Sequence, residues 1–305
     1  MGNTFTNVNR TKVQKEIVEA LAIGLAPLNV FTLSVGSDPM EKNQFVNVPL
    51  IGLGSASTNA TNYEDGNTSV VGKQVNLNTN LSSSWHITAV EASKQDTDYW
   101  EKTARQKAYE VAYAARLAAL NLVVRASYGT STEKVLLSTA CDSDALFDIR
   151  NTVMNTLKWS RQEGASLVLD GSYYANLGKD PAVKDLSASG AMTAQTGLVA
   201  KHAGFDIYED GQIASSTPYG ATEYLRGFAC LPQAMALAIR PPAQVGTAGY
   251  EVNEVISDPE TGIALNYREW INTSTNTLWG TIECLFGGIA VDGNALYRIV
   301  SQTSS

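Results

Sequence analysis

Residues Val75 to Ala89 read "VNLNTNLSSSWHITA". Val75, Leu77, Leu81, Trp85, Ile87 and Ala89 fall on odd positions, and Asn76, Asn78, Asn80, Ser82, Ser84, His86 and Thr88 on even ones. That is the period of a strand with one apolar and one polar face. Strands commonly run to about 5 or 6 residues, whereas this one would extend on the order of 50 Å at about 3.3 Å per residue. A ribbon of that length outruns what one compact domain can cover, and an apolar face left in water is what monomers avoid. Whatever covers this face constrains the fold more than any other feature.

The 305-residue chain is 44% apolar and 17% charged, enough for one large or two ordinary domains with a substantial core. No run reaches the roughly 18 to 20 apolar residues of a membrane span, and no secretory apolar block opens the chain, so a cytoplasmic site of synthesis and no membrane partner are expected. Cys141, Cys230 and Cys284 are odd in number and far apart, which predicts buried reduced thiols. A net charge of −8 argues against a nucleic-acid-binding surface as the main business, since phosphate binding needs basic side chains. The bases near the N-terminus (Arg10, Lys12, Lys15) and along a later helix (Lys102, Arg105, Lys107, Arg116) are interleaved with acids and read as solvated or ion-paired faces.

The short motifs do not add up to an active site. "MGNTFT" fits a permissive acylation pattern that nothing else supports. "GNTSVVGKQ" resembles a phosphate loop, but it has five residues between its glycines where four are needed, and Gln74 follows Lys73 where a hydroxyl should hold magnesium. His86 and His202 are the only histidines, and a triad of His202 with Ser172 of "DGSYY" lacks the glycines of a nucleophile elbow. No catalytic residue, metal ligand or cofactor is expected.

Along the chain, "TKVQKEIVEALAIGLAPL" reads as an amphipathic helix with Thr11 and Gln14 at capping-box spacing and Val13, Ile17 and Leu21 on one stripe. "NQFVNVPLIGLG" supplies a first strand with Pro49 at an edge or bulge, and the Ser/Thr/Asn/Gly-rich residues 55–72 make a tip before the alternating stretch returns from Lys73. "QDTDYWEKTARQKAYEVAYAARLAALNLVVRA" is the strongest helix, capped by Asp98 and Glu101, with a stripe of Trp100, Ala104, Ala108, Val111, Ala115, Ala118 and Leu122. Small residues there let another backbone lie close. "SDALFDIRNTVMNTLKW" gives a second amphipathic helix, "ASLVLDGSYYANLGKD" a buried strand and a short helix, and "TGLVAKHAGFDIYED" and "RGFACLPQAMALAIRPP" further strands. A hairpin turned by Asp258 to Gly262 and strands punctuated at Gly287–Gly288 and Asp292–Gly293 close the chain.

This order of parts resembles the major capsid proteins of tailed bacteriophages, with the Hong Kong 97 type of fold. The resemblance lies in the arm, the long two-stranded loop, the spine helix after "EASKQDTDYW", and "SLVLDGSYYANLGKD" with "GLVAKHAGFDIYED", which look like the family's axial domain. "GFACLPQAMALAIRPP" and "SDPETGIALNYREW" look like its return into the peripheral domain. The resemblance implies an α+β fold with an N-terminal arm at 1–42, an extended β-hairpin loop at 43–95, a peripheral domain at 96–140 and 240–305 with a spine helix at 97–126, and an axial domain at 141–239.

It further implies a non-enzymatic coat protein that assembles in the host bacterial cytoplasm into pentamers and hexamers of an icosahedral virion shell. Packaged double-stranded DNA, held without sequence specificity, a portal, a separate scaffolding protein and decoration proteins would be its partners. The loop would lie across a neighbour through Val75, Leu77, Leu81, Trp85 and Ile87, with Leu77 solvated before assembly. In a chemical variant of the family, a loop lysine forms an isopeptide bond with a neighbour's asparagine, helped by a glutamate. Lys73 is on the loop, but no matching asparagine and glutamate can be placed. Two other readings stand beside this one: an encapsulin-like compartment, told apart by neighbouring genes, and a soluble α+β enzyme using His202 or Ser172.

Overall fold

The computed structural model describes residues 10–51, 70–92, 99–129, 132–159, 164–184, 199, 201–216, 224–244, 246 and 249–302. In chain order the elements are α1 (Arg10–Leu25), β1 (Thr32–Val35), β2 (Phe45–Ile51), β3 (Val70–Asn76), β4 (Thr79–Thr88), α2 (Ala89–Ala92), α3 (Tyr99–Leu120), α4 (Arg125–Tyr128), β5 (Glu133–Val135), α5 (Ser143–Asn155) and β6 (Ser166–Leu169). There follow α6 (Gly171–Lys179), α7 (Pro181–Lys184), β7 (Lys201–His202), β8 (Phe205–Glu209), β9 (Leu225–Cys230), β10 (Met235–Arg240), β11 (Val252–Ser257), β12 (Ala264–Asn272), β13 (Thr277–Ala290) and β14 (Leu296–Val300). The described strands form two six-stranded sheets and a two-stranded ribbon.

The first sheet is organised on β13, whose 14 residues outlast any neighbour. Thr277 to Glu283 pair with both β12 and β4, and Leu285 and Phe286 with both β10 and β4. A strand has two edges, so β4 takes one and β12 and β10 share the other. β11 extends the sheet beyond β12, and β1 lies parallel beside β10. Gly287–Gly288, expected as a turn, is instead mid-strand. A side chain on Gly287 would run into the carbonyl of Asn76, and one on Gly288 would lie 2.7 Å from Leu122. These glycines mark a crossing of layers rather than a bend in the strand.

On the inner side of this sheet lies α3, and on α3 lies α1. Val13, Ile17, Ala20, Leu21 and Leu25 of α1 are buried, as are Trp100, Ala104, Ala108, Val111, Ala112, Ala115 and Ala119 of α3. A Cβ on Gly24 would sit 2.5 Å from that of Ala112, so the alanine stripe is where the two helices nearly touch. Lys12 with Glu101 (2.9 Å) and Arg105 with Glu16 (2.7 Å) flank the seam. Residues 10–35, expected as part of an arm, are thus built into the core. Gln14 donates to Glu254 Oε2 on β11 at 2.8 Å and does not close a capping box. The spine ends at Leu120, short of the expected Ala126, because Leu122 and Val123 tighten to i−3 bonds on Ala119 and Leu120, which sinks Val123 into the core. The expected cap at Asp98 lies outside the described residues.

The second sheet runs β5-β14-β9-β6-β8-β7. Every residue of β6 is buried, as its uninterrupted "SLVL" requires, and α5 starts on Asp142, whose carboxylate accepts from Ala145 N at 2.8 Å. β7 and β8 form a tight hairpin through Ala203 and Gly204 (φ 50° and 85°). Sheet membership crosses the expected domain boundaries. β10, placed in 141–239, pairs with β13, whereas β5 and β14, placed in the flanking segments, join β9. The reason is pairing: β14 fits between β5 and β9 and bonds to both, whichever segment it follows in sequence. The buried ion pairs Arg116–Asp210 and Arg298–Glu133 (2.9 Å) tie α3 to the second sheet and β14 to β5.

Candidate assembly surface

The long alternation is two strands, not one ribbon. Asn78 N bonds back to Asn76 O at 3.0 Å, so the chain bends at Leu77 and passes from one sheet to another. Before the bend, β3 pairs, among the described residues, only with β2, register Phe45↔Asn76 to Ile51↔Val70, and bonds between Asn43 and Leu77 and between Leu77 and Gln44 continue the ladder. After it, β4 pairs with β13 over its whole length.

The odd residues keep their parity through the bend but enter different cores. Trp85 and Ile87 are buried and Leu81 half-buried in the main core, with Trp85 5.3 Å from Trp100 and 6.2 Å from Tyr267. Val75 and Leu77 join Val46, Val48, Ala236, Ala238 and Leu285 in a separate small cluster on the outer side of the sheet. The ribbon's base therefore sits on β10 and β13 opposite α3. Leu77 is 0% exposed in the single chain, which corrects the expectation that it is solvated before assembly. All five residues expected on a neighbour are partly or wholly covered by their own subunit, Val75 and Leu77 by the ribbon's seat and Leu81, Trp85 and Ile87 by the main core. Sequence reasoning missed that seat, although "MALAI" at Met235–Ile239 signals it: large residues face the main core and Ala236 and Ala238 the ribbon.

The ribbon's other side is open. There Phe45 is 57% exposed and Asn47, Gly72 and Gln74 are exposed, whereas Lys73, opposite Val48 and of the same parity as Val75, belongs to the seated face and is half-buried. Of the expected tip, 55–72, residues 55–69 lie outside the described residues and Val70 to Gly72 belong to β3. On the outer face of β4, β13 and β12, His86 stacks on Trp279 at 4.6 Å and Trp279 on Trp270 at 5.9 Å, while Tyr250 meets Trp270 edge-on at 6.1 Å. Around the first sheet, Ile23, Val90, Tyr99 and Ile271 are further exposed apolar side chains.

No catalytic set is brought together by the residues weighed for it. His86 and His202 lie in different sheets. His202 Nε2 is 2.7 Å from Ser143 Oγ, not from Ser172, whose hydroxyl donates to Asp170 at 2.8 Å. Burial pushes the His202 pKa down, with Asp180 pulling the other way. The three cysteines are buried and free; burial pushes the thiols of Cys141 and Cys284 up to about 12 and that of Cys230 higher still, so none is a nucleophile near neutrality. Among the described residues no cluster of three or more His, Cys, Asp or Glu could hold a metal ion, and no helix is long and apolar enough to cross a membrane.

No protein-family model matches the chain, and no curated protein matches it. Solved structures do. A chain of the capsid of the cyanophage P-SCSP1u superposes with a TM-score of 0.59 at 14% identity, over 91% of this chain and 88% of that one. A chain of Mycobacterium phage Che8 gives 0.56 at 13% identity over 87% and 86%, and one of the mature capsid of bacteriophage PhiM1 gives 0.54 at 11% over 89% and 85%. Likeness that spans nearly the whole of both chains at so low an identity is likeness of fold. The chain has the α+β capsid fold of the Hong Kong 97 type.

Proposed function

We propose that this chain is the shell subunit of a bacteriophage capsid, closing on copies of itself as pentamers and hexamers of an icosahedral head around double-stranded DNA. The observation that carries the reading is the near end-to-end correspondence with capsid chains. Repeated heterologous contacts that return on themselves close such a shell, and the open side of the ribbon together with the apolar side chains around the first sheet offers surface for them. The work is structural: no side-chain chemistry is needed. A net charge of −8 suits a container wall, because it repels packaged DNA rather than binding it. On this reading the subunit assembles in the bacterial cytoplasm and resides in the virion, with a portal and a separate scaffolding protein as partners and decoration proteins as a further class. Sedimentation and negative-stain microscopy of the protein purified from bacterial expression, over rising concentration with and without a crowding agent, test it. Closed particles of uniform diameter are expected; a monomer or small closed oligomer under every condition overturns the reading.

A further inference from the structure

Where the β7–β8 hairpin meets the helices of the second sheet, three elements are joined at one histidine. His202 Nε2 lies 2.7 Å from the hydroxyl of Ser143, the first residue of α5, and its ring is edge-on to Phe147 one turn further along, at 5.6 Å. The amide of Ser143 donates to Asp180 Oδ2 at 2.6 Å, and the other oxygen of Asp180 accepts from Ala182 N at 2.9 Å, so the corner between α6 and α7 is fastened to the same point. Ser143 is buried, and a cavity of about 510 Å³ lined by Ser143, Asn176, Lys179 and Asp180 opens beside it.

The hairpin brings little hold of its own. β7 has two residues, Lys201 and His202, paired with Asp206 and Phe205. Its turn puts Ala203 at φ 50°, where a side chain is unfavourable, before Gly204 at φ 85°. So short a ladder depends on its contact with α5.

A proton changes what His202 can do there. With its hydrogen on Nδ1, the neutral ring accepts from the serine hydroxyl; the imidazolium has two donors and no acceptor, so the bond must turn round while a charge enters a half-buried site. From α5 the charges around the ring are Asp142, whose carboxylate caps Ala145 N, Asp144, and Arg150, whose guanidinium would lie 3.3 Å from a side chain on Gly204. The α6–α7 corner adds Lys179 and Asp180, and the hairpin its own Lys201–Asp206 pair at 2.8 Å, on the other face. Asp180 favours the cation, but burial outweighs it and holds the ring's pKa below the ordinary histidine value. The charged ring is better served by water than by this site.

We propose that His202 is a pH-operated pin: neutral, it fastens the hairpin to the N-terminus of α5; protonated, it withdraws, the hairpin lifts, and the covered side of Phe147 comes to the surface. Phe147 is 49% exposed with the hairpin seated, so acid enlarges an apolar contact on the second sheet that near-neutral protein keeps half covered. The device belongs to the single subunit and does not depend on the shell reading.

Hydrogen exchange of the unassembled full chain, corrected for intrinsic rates, and NMR of its aromatic rings test it. Between about pH 7.5 and 5.5 the opening of residues 201–206 should rise about five- to tenfold while that of β9 does not, as a ring that titrates near 6.5 once released requires. His202→Gln, which cannot titrate but keeps an amide to reach Ser143, should hold the opening constant over that range. In wild-type protein the Phe147 ring signals should shift along the titration curve of His202 and not along that of His86. Exchange at 201–206 that tracks β9 at both pH values, a full wild-type response in His202→Gln, or Phe147 signals that ignore the titration of His202 overturns the pin. The wild-type readouts need no variant, so a Gln chain that fails to fold leaves the test intact.

Discussion

β3 and β4 are neighbours in sequence with the same alternation, and they are held in unequal ways. β4 has a full-length partner in β13 and sends Trp85 and Ile87 into the main core under α3. β3 has a partner no longer than itself and rests on seven buried residues, none larger than leucine. Periodicity reports that one face of a strand is covered; it is silent on how much structure does the covering. The consequence is a gradient of local stability across a two-residue bend, with an anchored strand on one side and a lightly seated ribbon on the other.

The sharpest way to break that comparison is to weaken both halves and compare. Trp85 lies between Trp100 and Tyr267, and its ring would be within 2.6 Å of a side chain at Gly280, so the site is shaped around it. Trp85→Ala should cost about 3–5 kcal/mol in denaturant unfolding of the unassembled subunit. Leu77→Asp buries an unpaired carboxylate in the ribbon's seat. Because the ribbon can lift away without unfolding the main core, the cost should be smaller, about 2–3 kcal/mol. Hydrogen exchange should then lose protection at 43–51 and 70–77 while β4 and β13 keep theirs. A Leu77→Asp subunit that unfolds globally would show that the ribbon and the core are one unit.

What was legible in the sequence follows the same division. The spine, although it stops short at Leu120, the helix α5, the buried β6 and the Asp258–Gly262 turn each carry a local signal and each forms, whereas the Asp142 cap of α5 went unread. The bend at Leu77 carries none, since parity continues through it. Gly287–Gly288 misled because a glycine pair in sequence looks the same whether the chain turns or another backbone crosses it, and only the carbonyl of Asn76 decides. The placement of β10, β5 and β14 depends on long-range pairing that no segment encodes alone. The expected contact face was read correctly as apolar and assigned to a neighbouring subunit, whereas at Val75 and Leu77 the subunit's own β10 and β13 cover it.

The seam between α1 and α3 asks whether the anchored side is as closely packed as the alanines imply. Ala112→Leu would drive a side chain into the backbone at Gly24 and should cost about 1–2 kcal/mol. Ala118→Leu, at a half-buried position off that contact, should stay within about 0.5 kcal/mol. Equal costs would mean that the stripe is merely helix-forming and that α1 could slide on it.

The smallest effect is a control placed far from both halves. His202 is in the second sheet, 2.7 Å from Ser143 Oγ and edge-on to Phe147 at 5.6 Å, with the charge of Asp180 acting on it. Burial lowers its pKa in the folded chain, so the unfolded chain binds a proton first as pH falls. The neutral ring therefore favours the folded state fully above the ordinary histidine range. That contribution is lost as pH drops below about 6.5 toward the lower folded value. His202→Gln cannot titrate, so between about pH 7 and 5 its melting temperature should fall less steeply than that of wild type. Because His202 touches neither β3 nor β4, exchange protection of the ribbon should follow the same pH course in both proteins. A steeper acid loss in the Gln variant would contradict the direction of the shift. A ribbon that loosens in step with His202 would mean that the second sheet, and not the small seat on β10 and β13, sets how firmly the ribbon is held.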